Sequence, residues 1–482
     1  MSIPDKRILG LVGLLAAGLI VYSQTRAFAW DEGFHLLAAQ SIDHGKRPYL
    51  DFPFSQAPLN AYWNAGWMRV FGESWRTSHA VAAVMSSLAV LLTAGYLLRS
   101  FPVPGWRLAT AITAVFIVGL NAMVLEFGTI GQAYGLCLFL IVAAFRLTVA
   151  AVEGPLLYAA LAGLLACAAA NASLLTAPVA PVLLLWMSFC NRAGNRWAKT
   201  GAFVGAGAAA FLPLAWLFVQ GPRQTIFYAV KYELLYRQVQ WSGAAEHNIE
   251  VLTSWIDSSQ PLMLGLLALA GLLFVSRRSG WQRAQRLEFY LCGWLALALT
   301  AHISSALPTF SRYYLLAAPF LGIPACAGLY VVGSRLGAPD RPFWPVLVVM
   351  LLSCLFVAKA LYDTREDFAW SDAELVAAKV RAVTPPQAVL FADEHTYFLT
   401  RHAPPSGMEL ADSHKLDFPT AVAAELHLIS QSELDRRLKA GVFDTVEIPA
   451  DDERIQKFAL GRLYSGSAEV GEAKIFWRRT PK

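Results

Sequence analysis

Two adjacent carboxylates, Asp31 and Glu32, stand just past the end of the first apolar run of the chain. Such a pair can be a solvated start to a helix, where negative charge interacts well with the helix dipole. Alternatively, one carboxylate whose pKa is raised by partial desolvation can act as general base toward a hydroxyl. Neighbours on a helix point about 100° apart, so one acid would face a reacting group and the other would hold a neighbour. Arg312, followed by Tyr313 and Tyr314, opens a late apolar run. Its planar guanidinium can fork two hydrogen bonds onto a phosphate and stays charged. It can also anchor a helix end by snorkelling to an interface. Glu126 falls at a turn between two apolar runs, with Gln132 and Tyr134 after it. It is either a substrate contact or an acid wetted at the turn. Lys231, Tyr232, Arg237 and His302 are further polar groups on the same expected side. Lys231 and Arg237 are phosphate clamps or solvated loop charges. His302 caps a helix end or touches a ligand.

Other chemistries find little support. No His/Asp/Glu cluster has metal-ligand spacing, and His395 and His402 are isolated. No metal or cofactor is expected. No P-loop or GxGxxG pattern stands out, which argues against ATP or a nucleotide sugar. The six cysteines all lie in apolar stretches and form no CxxC pair, so neither a zinc site nor a disulfide framework is indicated.

The elements that must position these residues follow from composition. Of 482 residues, 56% are hydrophobic and 15% charged, with a mean hydropathy of +0.46. Soluble domains carry about a quarter charged residues, and many apolar runs here reach the roughly 20 residues that cross a bilayer core. The net charge of +5 does not point to nucleic acid, because the basic residues cluster between apolar runs and so report topology. Eleven spans are expected, at about 8–28, 79–98, 107–125, 130–150, 155–173, 174–190, 201–219, 260–276, 287–305, 313–332 and 343–361. The pair within 155–190 turns at Asn171, Ser173 and Pro178.

With the N-terminus cytoplasmic, the inner loops hold Lys6 and Arg7; Arg99 and Arg107; Arg146; Arg192, Arg196 and Lys199; Arg277, Arg278, Arg283 and Arg286; Arg335 and Arg341. The short outer turns near 126–130 and 172–178 hold neither Lys nor Arg. This bias sets the orientation and leaves the C-terminal tail outside. The first run ends at Ala27-Phe28-Ala29, a small-x-small pattern. Signal cleavage and an uncleaved first span are therefore both open, and both leave Asp31 on the outer face.

Two outer segments are long. Residues 29–78 recur in aromatics at helical spacing and read as two short interfacial helices. Residues 220–258 carry Lys231, Glu233, Arg237 and Trp241. Residues 1–362 form the expected membrane domain, and 363–482 a small extracytoplasmic α/β domain. Its expected helices are Ala373 to Val383 and Ser432 to Lys439, with strand-like runs at Ala388 to Phe391 and Val442 to Ile448.

The first outer segment resembles a known pattern. Trp30-Asp31-Glu32-Gly33-Phe34-His35, then Gly45-Lys46-Arg47-Pro48-Tyr49, then Gln56-Ala57-Pro58-Leu59, then Phe71-Gly72 resemble the first outer loop of C-type (GT-C) glycosyltransferases. The likeness is to the protein O-mannosyltransferase and lipid A aminoarabinose transferase kind. Ser311-Arg312-Tyr313-Tyr314 followed by Pro319 resembles a second stretch of that superfamily.

The resemblance implies an all-α polytopic glycosyltransferase of the inner or plasma membrane. Its co-substrate would be a polyprenyl-phosphate sugar, and its acceptor a glycolipid, protein or polymer hydroxyl. Asp31 matches the catalytic acid and Glu32 its partner. Arg312 and Tyr313 match the donor-phosphate region, with Lys231, Glu126 and His302 as further contacts. The chain departs from the pattern in three places: relatives often have Lys where Gln56 stands, Arg where His79 stands, and a charge where Gln132 stands. An inverting displacement at the anomeric carbon needs no metal if fixed cations neutralise the phosphate. The rival readings are a polytopic transporter, whose marks are inverted repeats and mid-span charges, and a catalytically inactive scaffold of the same ancestry.

Overall fold

The computed structural model describes residues 5–190, 195–277, 282–336 and 342–478. Arg192, Arg278 and Arg341 of the expected inner loops lie outside the described residues. The chain forms two compact units. The first comprises Met1–Gln24, His79–Pro213 and Gly243–Asp367; the second comprises Thr25–Ser78, Leu214–Ser242 and Phe368–Lys482.

The first unit is all helix, as apolar sequence requires where backbone groups must be satisfied without water. Among the described residues, six helices are long and apolar enough to cross a membrane: Lys6–Thr25, Trp75–Ser100, Tyr134–Ala151, Arg283–Ser304, Ser311–Arg335 and Phe343–Asp363. The number rises to eight if each of two broken pairs is one span, namely Arg196–Ala209 with Leu212–Gln220 and Ala244–Asp257 with Ser259–Val275. The remaining apolar stretches form shorter helices, Pro104–Gly119, Leu156–Ala172 and Leu174–Phe189. Polar or proline breaks at Asn121, Ser173 and Pro178 cut these helices short.

Close helix approach in this unit depends on missing side chains. A Cβ on Gly271 would lie 1.9 Å from the Pro324 carbonyl oxygen, and one on Gly328 equally close to that of Leu267. Small residues let backbones meet where lipid offers no hydrophobic drive for association.

In the second unit, helices Glu32–Asp43 and Leu59–Phe71 fall within the expected 29–78 segment. The first was expected along the bilayer surface. Instead it is buried on most sides, from Glu32 and Gly33 through His35 to Ser41. Its apolar residues surround the helix rather than form one stripe. Leu36 and Ala39 pack with Trp370 and Phe398, and Leu37 packs with Val380 and Tyr397. The second helix keeps an open aromatic edge, with Trp63 against Trp67, Trp67 stacked on Phe71, and Phe71 exposed.

The tail contributes a four-stranded sheet in the order β1-β2-β4-β3. β1 (Leu390–Phe391) runs parallel to β2 (Thr445–Pro449). β4 (Ala473–Trp477) runs antiparallel to both β2 and β3 (Gly466–Val470). Helix Trp370–Val383 covers one face through Val376 and Val380; Leu434 and Leu438 of helix Gln431–Lys439 cover the other. The β3–β4 hairpin was not anticipated. Its turn depends on Gly471 at φ +57, a conformation glycine adopts without steric cost.

Candidate functional site

The second unit holds the paired acids. Asp31 is exposed and stands at the start of helix Glu32–Asp43, where its side chain makes no capping hydrogen bond. Glu32 is fully buried and accepts a hydrogen bond from Trp370 Nε1 at 3.2 Å. His35, one turn on, is also buried. Desolvation lowers its pKa to about 4 against a smaller opposing effect of Glu32. His35 Nδ1 has no hydrogen-bond partner among the described residues, which suits a neutral ring. The two adjacent acids are thus split, one open and one fixed within the core.

Glu233 completes this acidic region. It is held by Arg237 at 3.1 Å and by Ser55, while burial, with a smaller contribution from the Asp31 charge, pushes its carboxyl up. Its i,i+4 spacing from Arg237 was a legible signal, but nothing in the sequence tied it to Asp31. Lys231 is exposed at the end of a π-helical turn, Phe227–Lys231, a form that often marks functional positions. Gln56 is half-buried and its carbonyl accepts the Tyr49 hydroxyl at 2.6 Å. That bond fixes the loop before helix Leu59–Phe71.

His395 was set aside in the sequence as isolated, yet it packs against this first segment. Its ring stacks on Phe28 at 5.1 Å and meets Trp30 and Trp370 edge-on at 5.8 and 5.2 Å. A Cβ on Gly33 would come within 2.8 Å of that ring, so glycine is what lets the Asp31–Gly33 backbone approach the tail. No local sequence signal links residues so far apart in the chain.

The first unit holds Arg312. The turn before it is pinned: the Thr309 amide donates to Asn248 Oδ1 at 2.7 Å, and Asn248 Nδ2 donates to the Ala306 carbonyl at 2.7 Å. The Arg312 guanidinium lies over Phe310 at 4.5 Å, Tyr313 at 5.6 Å and Phe127 at 6.0 Å. Ring faces attract a cation without neutralising it. Tyr313 is buried, 6.4 Å from Tyr134 between ring centres. Tyr314 hydrogen-bonds Ser304 at 2.8 Å.

Glu126 is half-buried in the short helix Ala122–Phe127; desolvation first, then the charge of Asp367, raise its carboxyl to about 7. His302 is exposed and its Nε2 donates to the Leu174 carbonyl at 3.1 Å, a link between turns. His79 is fully buried and its Nδ1 donates to the Ser23 carbonyl at 2.6 Å; it locks two helices together. Among the described residues, no group of three or more His, Cys, Asp or Glu side chains could share a metal ion.

No family model matches the chain, and no curated protein matches it in sequence. Solved structures do match. ArnT from Cupriavidus metallidurans bound to undecaprenyl phosphate is 13% identical, with a TM-score of 0.69 over 98% of each chain. The apo state of that protein is 15% identical, with a TM-score of 0.66 over 97% of this chain and 98% of the other. The archaeal oligosaccharyltransferase AglB from Archaeoglobus fulgidus, in complex with an inhibitory peptide and a dolichol-phosphate, is 13% identical. Its TM-score is 0.51 over 92% of this chain and 69% of that one. Across essentially its whole length, the chain therefore shares the fold of ArnT, apolar membrane-length helices with a small β-containing C-terminal domain.

Proposed function

We propose that the chain is a membrane glycosyltransferase that moves a sugar from a polyprenyl-phosphate donor to an acceptor hydroxyl at the outer face of the membrane. The observation that carries this reading is the end-to-end likeness to a protein solved with undecaprenyl phosphate. AglB, solved with a dolichol-phosphate, points to the same donor class. The Asp31–Glu32 loop motif adds support.

In the proposed reaction Asp31 takes the proton of the acceptor hydroxyl as its oxygen bonds to the anomeric carbon. The bond from that carbon to the phosphate oxygen breaks, and the electron pair leaves with polyprenyl phosphate. Attack opposite the leaving group inverts the anomeric centre. Arg312 stabilises the charge growing on the phosphate, with Lys231 and Tyr313 as further donor contacts. Glu32 is a positioning residue, supported by its burial and its bond to Trp370. Gln56, Glu126 and His302 are proposed as further donor or substrate contacts.

The proposed topology has eleven spans, counting the shorter apolar helices and each broken pair as crossings. The N-terminus is cytoplasmic and the domain formed by 363–482 extracytoplasmic. The basic residues between spans support that orientation, and the exposed Val70 and Phe71 support contact with the bilayer surface.

The test is release of free polyprenyl phosphate from a labelled polyprenyl-phosphate sugar by the purified chain in lipid nanodiscs, with cell-envelope extract as acceptor. Release that depends on the acceptor is expected. No release with any polyprenyl-linked sugar would remove the assignment.

A further inference from the structure

Within the second unit the tail encloses a cavity of about 380 Å³, within the roughly 300–1,000 Å³ range of small-molecule sites. Trp30, Phe368, Phe391, Ile429 and Leu434 form its apolar wall, while Asp31 is not among its lining residues. Nothing in the proposed reaction uses it.

Three of the charged groups in its wall, Asp393, Glu447 and Arg454, have partners. Asp393 accepts the Thr396 amide at 2.8 Å. Glu447 is buried, accepts the Asp393 amide at 3.1 Å and bonds to Thr396. Burial, then the charge of Asp393, holds its carboxyl well above the usual range. Arg454 lies on Asp452 at 2.9 Å and over the Phe391 ring. Glu472 is exposed to solvent at the margin. The wall is chiefly apolar, so a charged ligand would give up hydration there, which is costly. One polar atom in the wall is different. His395 is 3% exposed, and its Nε2 has no hydrogen-bond partner among the described residues. A hydroxyl both donates and accepts, so it serves that nitrogen in either tautomer.

We propose that this cavity is a binding site for an uncharged, largely hydrocarbon molecule bearing a hydroxyl group. The site belongs to the tail and its aromatic neighbour Trp30, and it stands whether or not the chain transfers sugar.

Photolabelling tests it. The full chain in lipid nanodiscs is irradiated with a diazirine-bearing octanol, and the labelled peptides are mapped by mass spectrometry. Label is expected on the peptides that hold Phe391, Ile429 and Leu434. Octanol should displace it at a concentration at least about tenfold lower than octanoate or octylammonium requires, since a chiefly apolar wall does not replace the hydration of a charge. Ala392→Phe, which fills the space, should lose the label, and Leu434→Ala, which enlarges it, should keep it. If Ala392→Phe does not fold, the wild-type competition and Leu434→Ala decide. Label confined to the membrane helices, or displaced equally well by all three octyl compounds, would overturn the proposal.

Discussion

Around Asp31 the second unit sorts like charges by burial. Around Arg312 the first unit surrounds a single cation with rings. In the acidic region Glu32 is fully buried on Trp370, Glu233 is tied to Arg237, and Asp31 remains exposed. In the basic region three ring faces lie within 6.0 Å of the guanidinium, on a turn pinned by Asn248. The contrast shows two ways to hold a charge in position. Hydrogen bonds fix Glu32 and Glu233 in place, whereas Asp31 stays exposed where an acceptor hydroxyl can reach it. Ring faces orient a guanidinium without neutralising its charge.

If that contrast holds, the two regions fail differently. Arg312→Ala should lower donor turnover by about 10²–10³-fold, the usual effect of removing one donor to a developing oxyanion. Steady-state kinetics should show the loss in use of the donor more than of the acceptor, with Arg312→Lys recovering part of it because the charge returns without the fork. Equal loss toward both substrates would assign Arg312 to folding instead.

The acidic region should respond first in stability. Trp370→Phe removes the donor to buried Glu32 and should cost about 1–3 kcal/mol, read by thermal unfolding in nanodiscs. An unchanged melting temperature would mean that Glu32 does not depend on that bond.

His35 gives this region a pH dependence. Its pKa is about 4 in the folded chain and 6.5 unfolded. Above the unfolded value both states are neutral and stability is full. As pH falls from 6.5 toward 4 the unfolded chain binds a proton that the folded chain does not, and up to about 3 kcal/mol is lost. His35→Gln should flatten this window in pH-dependent melting. A slope that survives the substitution would assign the titration elsewhere.

The smallest expected effect is a gain. Gln56→Lys places a cation where the resembling enzymes often have one, and should improve donor use about two- to fivefold, the worth of a partly exposed ion pair. No gain would mean that Gln56 lies away from the donor phosphate.

Much of this architecture was legible because apolar runs and helix breaks are local signals. The turn after Asn171, the helices at Glu32–Asp43 and Leu59–Phe71, and the tail helix ending at Val383 all fall where the sequence puts them. What was not legible depends on contacts distant in the chain. The covering of Leu36 and Leu37 by Trp370, Phe398 and Tyr397 turns an expected surface helix into a core helix. The packing of His395 against Gly33 has no trace in either local stretch. The β3–β4 hairpin was hidden because the inward positions of β3 are small (Gly466, Ala468), and only Gly471 marked the turn.

The account rests on the exposed acid, and substitution of that one residue tests it most directly. Asp31→Asn keeps the size and polarity of the side chain but cannot accept the acceptor proton. Transfer from a labelled polyprenyl-phosphate sugar should fall by about 10²–10⁴-fold while thermal unfolding stays at the wild-type value. Transfer at the wild-type rate by folded Asp31→Asn protein would contradict the account.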